Sequence, residues 1–479
     1  MKHYKTKKND EIMCAEIETT SFKKGKAASY SMCVFINAFI YLAYDFLVFY
    51  YYEVELGLAA AYVGISFVIF AIWNMINDPL VGYFTDKPKK WSSKYGLRFP
   101  WILFGGFLQA IAFFFMFYIP FDYGDPRSNP LPLFIYMVIV TCIWDTFFSV
   151  FMTNYIGGFA NIFRTPENRR KGSTILLLIG VFGNMFASGV LIPMIIIYGD
   201  PSSYVRGATL AVIILSVATL LCIPGIYESE EVKQRYLKIH EMREKQKLPY
   251  KQVLKIAFKN KDFVIYVTMF TLWTTAGVLN RVSILYFIRD VLQEDITVLG
   301  PATLGMMAAF IPSIFIFSYI AKKTEHIYAT MSAFAVLFVV LIAHMFVTNA
   351  LGFIIIRTLV GITAGAWGGV LFSITADVMD SVTCDAEQHV ESTMIGIRTF
   401  FIRLSYLISG AIIAVVHIAT GYNAGAETQS DLAILGVRMH TGLIPAIMAL
   451  AGLLLLMKFY SLKGDRKREC METLRAKGL

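Results

Sequence analysis

Stretches of about twenty apolar residues recur along the whole chain, and no other feature limits the fold so strongly. Tyr30 to Tyr52, Phe99 to Pro120, Ala208 to Tyr227 and Ala329 to Val347 are examples. Each is long enough, at 1.5 Å per residue, to cross a ~30 Å hydrocarbon core as a helix. Only 16% of the residues are charged, against roughly 25% in soluble globular proteins, while 57% are hydrophobic. A spanning β-barrel is excluded because its segments would be shorter and would alternate in polarity. Expected spans fall at 29–56, 60–84, 99–120, 131–160, 172–199, 208–227, 263–288, 298–321, 327–347, 351–379, 392–419 and 440–460.

The loops between these spans differ in charge. One alternate set holds Lys23, Lys24, Lys26, Lys87, Lys89, Lys90, Lys94, Arg98, Arg164, Arg169, Arg170, Lys171, the run Lys233 to Lys261, Lys322, Lys323 and the tail from Lys463. The other holds little beyond Arg127, Arg206, Arg289 and Arg438. By the positive-inside rule the first set is cytoplasmic, which places both termini in the cytoplasm and requires an even number of spans. The formal charge of +9 therefore reads as topology and does not call for nucleic acid as a partner. Met1 to Lys26 lacks the pattern of a cleaved signal, and the six cysteines show no metal-like spacing and are expected to form no disulfides. The longest polar segment, Glu228 to Lys261, divides the chain into an N-terminal bundle (1–228), a cytoplasmic linker (229–261) and a C-terminal bundle (262–479), six spans in each bundle. Within the linker, Glu230 to Gln246 alternates charge at helical spacing and reads as a surface helix. The fold class expected is all-α, twelve transmembrane helices in two bundles, with a solute site between them near the midplane.

Seven ionisable residues fall inside spans: Asp45, Asp78, Asp145, Arg281, Arg357, Arg398 and Arg403. Each costs about 2.5–3.5 kcal/mol at the centre of a helix on insertion scales, so such groups pair with one another or line a wet cavity. Pro79 removes a backbone hydrogen bond beside Asp78 and leaves a carbonyl next to a carboxylate, a candidate cation site. Gly361, Gly365, Gly368 and Gly369 permit close helix packing. Tyr50, Tyr51, Tyr52 and Glu53 read as an interfacial aromatic belt, and His344 as a packing group. The absence of a Walker loop, an HExxH pair or a nucleophile elbow argues against an ATP-driven pump and against an intramembrane enzyme. A non-transporting receptor or a scramblase-like protein is a further rival.

Trp73-Asn74-Met75-Ile76-Asn77-Asp78-Pro79-Leu80-Val81-Gly82-Tyr83-Phe84-Thr85-Asp86-Lys87, followed by Gly96-Leu97-Arg98-Phe99-Pro100-Trp101, closely resembles the signature of the glycoside/pentoside/hexuronide:cation symporters, the melibiose-permease branch of the major facilitator superfamily. Trp144-Asp145-Thr146, Ala376-Asp377-Val378-Met379-Asp380, Glu391-Ser392 and Thr399-Phe400-Phe401-Ile402-Arg403 agree. Eukaryotic lysophospholipid carriers look similar in the same places. The resemblance implies a cation-coupled symporter of sugars, glycosides or uronides, with an anionic amphiphile or uncoupled exchange as the alternative. Asp78 takes the place of the main cation carboxylate, with Asn74 and Asn77 beside it, and Asp145 that of an aspartate shared by cation and solute. Arg403 stands where the family has lysine. Asp145, Arg403, Arg398, Arg281, Asp45, Asn37, Ser149 and Thr399 are the expected solute contacts, and Gly82, Asp86, Arg98 and Asp377 the expected gating residues.

Two departures bear on specificity. Asn74 replaces a carboxylate and Cys142 a hydroxyl, which weakens any sodium site and favours H+ over Na+ as coupling ion. Ala38 replaces the solute-binding aspartate and Ser149 the stacking tryptophan of the galactoside carriers. No cofactor or bound metal is expected. The chain reads as a monomeric plasma-membrane protein whose partners are the bilayer and a small-molecule solute.

Overall fold

The computed structural model describes residues 23–477 apart from 86, 88, 164, 165, 229, 231, 232, 234–249 and 387–390. Among the described residues the secondary structure is entirely helical. Eleven helices are long and apolar enough to cross a membrane, and a shorter twelfth, Phe99–Phe115, has 17 residues. The twelve are α1 (Lys24–Tyr50), α2 (Ala60–Thr85), α3 (Phe99–Phe115), α4 (Leu131–Ile162), α5 (Pro166–Phe186), α6 (Pro201–Ile226), α7 (Lys261–Val282), α8 (Leu299–Lys323), α9 (His326–Ala343), α10 (Ala350–Ala386), α11 (Glu391–Thr420) and α12 (Ile444–Phe459). A final helix, α13 (Asp465–Lys477), packs on α10. The N-terminal stretch before residue 23, Asp86 and most of the surface helix expected over 230–246 lie outside the described residues.

Several expected boundaries move, for reasons visible in the caps. The sixth span begins at Pro201 rather than 208 because the Asp200 carboxylate accepts the Ser202 N–H and proline suits the first helical position. The twelfth begins at Asp431 rather than 440, capped by Ser430 Oγ, and runs as Asp431–Arg438 through a π-helical turn, Met439–Leu443, into α12. Similar wide turns, Tyr51–Glu55 and Phe287–Leu292, prolong the first span of each half. They also overturn the aromatic-belt reading. Tyr50, at the end of α1, and Tyr51 and Tyr52, in the wide turn, are 0%, 2% and 0% exposed, and Glu53 of the same turn is buried with them.

Glycines set the closest approaches. An added Cβ on Gly361, Gly365 and Gly369 of α10 would stand 2.0, 2.3 and 2.8 Å from the carbonyl oxygens of Met306, Phe310 and Ile314 on α8, whereas on Gly368 it would meet only the Ile314 side chain at 3.7 Å. The four-residue spacing thus forms a flat stripe against the α8 backbone. Gly64 of α2 likewise faces Ala414 of α11, and Gly410 of α11 faces Phe67 of α2, so these two helices join the halves through small residues.

One end of the bundle carries the basic loops, and the packing of the two ends differs. An apolar cluster runs from the first six spans into the far ends of α7, α8, α10 and α11, including Val278, Leu299, Phe353 and Ile413. The second cluster, from Ala257 to Leu462, contains no residue of the first six spans. The halves are therefore fused at the end opposite the basic loops. At the basic end Glu228 accepts the N–H groups of Leu97 (2.6 Å) and Arg98 (3.2 Å), where Gly96 holds φ +94°. Burial raises the Glu228 carboxyl above its ordinary value despite these donors.

Gly361→Ala is expected to cost about 1–3 kcal/mol by forcing backbone apart, while Gly368→Ala is expected to be close to neutral. Thermal unfolding of the purified protein in detergent separates the two outcomes.

Candidate functional site

Asp78, Asn74 and Asn77 lie on the half of α2 nearer the basic loops, three and four residues apart, so the helical repeat turns them toward one neighbour, α4. Asp145 of α4 meets them there. Its Oδ1 accepts from the Asn74 amide and its Oδ2 from the Asn77 amide at 3.1 Å. Ser149, one turn further along α4, donates to Asp78 Oδ1 at 2.5 Å. From the other half, Arg403 of α11 reaches Asp78 Oδ2 with Nη2 at 3.1 Å and Nε at 3.3 Å, and its Nη1 donates to the Tyr41 hydroxyl at 2.7 Å. Six of the expected residues, from three spans in two halves, thus gather in two neighbouring hydrogen-bonded groups, Asp145 with Asn74 and Asn77, and Asp78 with Ser149 and Arg403. Asp145 is fully buried and Arg403 is 9% exposed.

A second crossing pair lies toward the opposite end. Arg281 Nε of α7 stands 2.7 Å from Asp45 Oδ2 of α1. The Tyr41 and Tyr406 rings, 6.3 Å apart, lie between the two pairs. Arg357 is buried without a described carboxylate partner. Its Nη1 donates to Asn280 Oδ1 at 2.9 Å.

The remaining expected residues stand apart from this cluster in the described contacts. Asn37 Oδ1 is buried without a partner, and the Arg398 guanidinium lies 5.3 Å from the Phe270 ring centre. Thr399 is half-buried on α11, one turn before Arg403. Gly82 faces Thr153 of α4 at 3.8 Å, Arg98 lies against Gly157, and Asp377 binds Lys467 of α13 (2.6 Å) and His326 (2.7 Å) within the second half. His344 is buried with Nδ1 on the Val340 carbonyl, a packing role.

Sequence reasoning missed the aromatic wall. Trp144 stacks on Tyr44 with ring centres 4.9 Å apart and planes at 5°, and Phe148 follows at 5.3 Å. With Tyr41, Phe70, Asp145, Arg403 and Tyr406 they line a cavity of only about 10 Å³, room for about one water, against the roughly 300–1,000 Å³ of an occupied ligand pocket. Tyr44 Oη and Trp144 Nε1 are buried without partners. The motif Trp144-Asp145 carried the signal, since a tryptophan beside an intramembrane carboxylate places an aromatic face and a charge on adjacent faces of one helix.

Residues 29–464 match the family described as MFS/sugar transport protein. The chain belongs to that family. It is a multi-pass membrane transporter and not an enzyme. Similar proteins include an uncharacterized symporter of Bacillus subtilis, 23% identical and covering 99% of this chain and 100% of its own length. An isoprimeverose transporter of Lactiplantibacillus pentosus is 22% identical over 88% of this chain and 85% of the relative. The sodium-dependent lysophosphatidylcholine symporter 1 of Mus musculus is 21% identical over 84% and 79%. Among solved structures, a nucleoside transporter superposes with TM-score 0.64 at 13% identity, covering 91% of this chain and 100% of that one, which shows the shared fold.

Removing Arg403 alone leaves the Asp78 carboxylate buried and unmatched, which costs about 3–5 kcal/mol. Arg403→Gln alone is expected to lower thermal stability more than the Asp78→Asn/Arg403→Gln double variant. Equal losses would show that the pair is not coupled in the folded state.

Proposed function

We propose that this chain is a secondary transporter working by alternating access on a small polar solute such as a sugar, glycoside or uronide, coupled to a cation, with the proton favoured over sodium. The first six spans (to 228) and the last six (from 262) move as two bodies joined by 229–261. Both termini are cytoplasmic in the plasma membrane, so the fused end faces outward and the site is reached from the cytoplasm.

The observation that carries the coupling is a charge count. Two carboxylates stand by one guanidinium: Asp78 pairs with Arg403, and Asp145 lines the same small cavity as Arg403. With both carboxylates ionised the cluster keeps one net negative charge, and a single monovalent cation cancels it. The Asn74 and Asn77 amides donate to Asp145, so its oxygens already face N–H groups and not the ring of oxygen ligands that a hard cation needs. A proton requires only one free lone pair. Arg403 and Arg281 are each matched by an aspartate of the first half, which favours a neutral or singly charged sugar over an anionic amphiphile. The family description agrees with a sugar. Trp144 supplies a ring face, and its indole N–H and the Tyr44 hydroxyl supply polar atoms for hydroxyl groups. The cavity widens before it accepts such a molecule.

Reconstituted protein, screened with neutral sugars, glycosides, uronides and lysophospholipids, is expected to be stabilised by a sugar-class solute, by about 2.7 kcal/mol at a hundredfold excess over Kd. Uptake of that solute should follow an imposed pH gradient, and Asp78→Asn should abolish accumulation while retaining exchange. Uptake that followed a sodium gradient and ignored pH would overturn the proton, and stabilisation by lysophospholipid alone would overturn the solute class.

A further inference from the structure

At the fused end, far from the central cluster, a buried chain of polar groups links the two halves. Glu53, in the wide turn after α1, places Oε1 2.7 Å from His417 Nδ1 at the end of α11, and its Oε2 accepts the Tyr286 hydroxyl at 2.6 Å. His417 Nε2 stands 3.2 Å from His440 Nε2, and His440 Nδ1 stands 2.7 Å from Ser283 Oγ. Glu53 and His417 are each 2% exposed, His440 and Ser283 0%.

Donor and acceptor rules allow two consistent arrangements of this chain. In the first, Ser283 donates to His440 Nδ1, His440 Nε2–H donates to His417 Nε2, and His417 Nδ1–H donates to an ionised Glu53, with both rings neutral. In the second, Ser283 donates instead to the Leu279 carbonyl, 2.6 Å away, and accepts His440 Nδ1–H. His440 Nε2 then accepts from His417 Nε2–H, and one additional proton lies between His417 Nδ1 and Glu53 Oε1. Every nitrogen and oxygen of the chain keeps a partner in both, and the two differ by one proton.

The surrounding charges decide which arrangement suits the closed end. Asp290 is matched by Arg289 at 3.4 Å and by the Tyr422 hydroxyl at 2.8 Å. Arg289 also binds Tyr50 Oη and the carbonyls of Ala424 and Ala426. Glu55, two residues beyond Glu53, turns away to Tyr204 and the Gly199 N–H. Among the described groups facing Glu53, namely Tyr50, Tyr286, Arg289, Asp290, His417, Tyr422 and His440, only the two histidines remain to balance its charge. A carboxylate buried this deeply is costly unless it is balanced.

We propose that Glu53, His417 and His440 form a proton-binding site separate from Asp78 and Asp145, and that this end of the transporter closes with one proton bound there and opens when that proton leaves. The inference rests on the alternating-access reading above. The proton comes from water at the open end and returns to it, with no bond changed except N–H or O–H. Once hydrated, the carboxylate is ionised and the imidazole is neutral above its ordinary pKa of about 6.5. Closure above that pH therefore takes up one proton, and raising the pH favours opening. Below it, the open end keeps the proton too and the dependence disappears.

Hydrogen–deuterium exchange of the full chain, followed on peptides covering 50–56, 284–292 and 417–426 and corrected for intrinsic rates, reads the opening directly. Protection in the unaltered protein is expected to fall roughly tenfold per pH unit above about pH 6.5, the slope for one proton. Glu53→Gln and His417→Gln should each flatten that slope. A flat profile in the unaltered protein, or an unchanged slope in both variants, overturns the proposal. Should either variant fail to fold, Tyr286→Phe removes a single donor to Glu53 from the closed end and should leave the onset in place while carrying the slope to higher pH before it levels; a slope that levels at the same or lower pH counts against the site. Proton-driven uptake with flat protection would strike this site alone, whereas pH-dependent protection without proton-driven uptake would strike only the coupling at Asp78.

Discussion

An ionised side chain in hydrocarbon must find an opposite charge or water, and three places where this protein answers that demand lie between its halves. Asp78 faces Arg403, Asp45 faces Arg281, and Glu53 faces His417. In each pair the acidic partner comes from the first six spans and the basic one from the last six. Separating the halves at any level exposes both members of a pair, so water must enter where the pair opens. In the alternating access proposed above, that requirement would link hydration to movement at the polar seam.

Gly64 and Gly410 let α2 and α11 approach through small side chains. The groove between α8 and α10 lies within one half and has backbone against backbone, which suits a rigid body. The wide turns Tyr51–Glu55, Phe287–Leu292 and Met439–Leu443 bring Glu53, Asp290 and His440 to the fused end. Such π-helical turns are frequent at functional sites because they shift a side chain's direction within an otherwise regular helix.

The central cluster explains why a conservative view of Arg403 is insufficient. A lysine is a point charge on a flexible stem, whereas the guanidinium fork holds Asp78 with two nitrogens and Tyr41 with a third. Tyr41 could not be picked from its surroundings in the chain, since it is one tyrosine among twenty-six and sits in an aromatic span. Trp144, by contrast, adjoined a residue already singled out.

The amino-acid sequence by itself determined the spans, their alternation and the ionisable residues held at depth, because hydrophobic length, loop charge and the cost of burying a charge are local properties of a segment. It also brought Asp78, Asn74, Asn77, Asp145, Ser149 and Arg403 into one hypothesis through their motifs. Only the tertiary structure decided that Arg281 belongs to Asp45, that Asn37 and Arg398 stand apart, and that Tyr50 to Glu53 turn inward to meet His417. Such pairings depend on which faces of distant helices meet and on a one-residue widening of a helical turn, and hydropathy records neither.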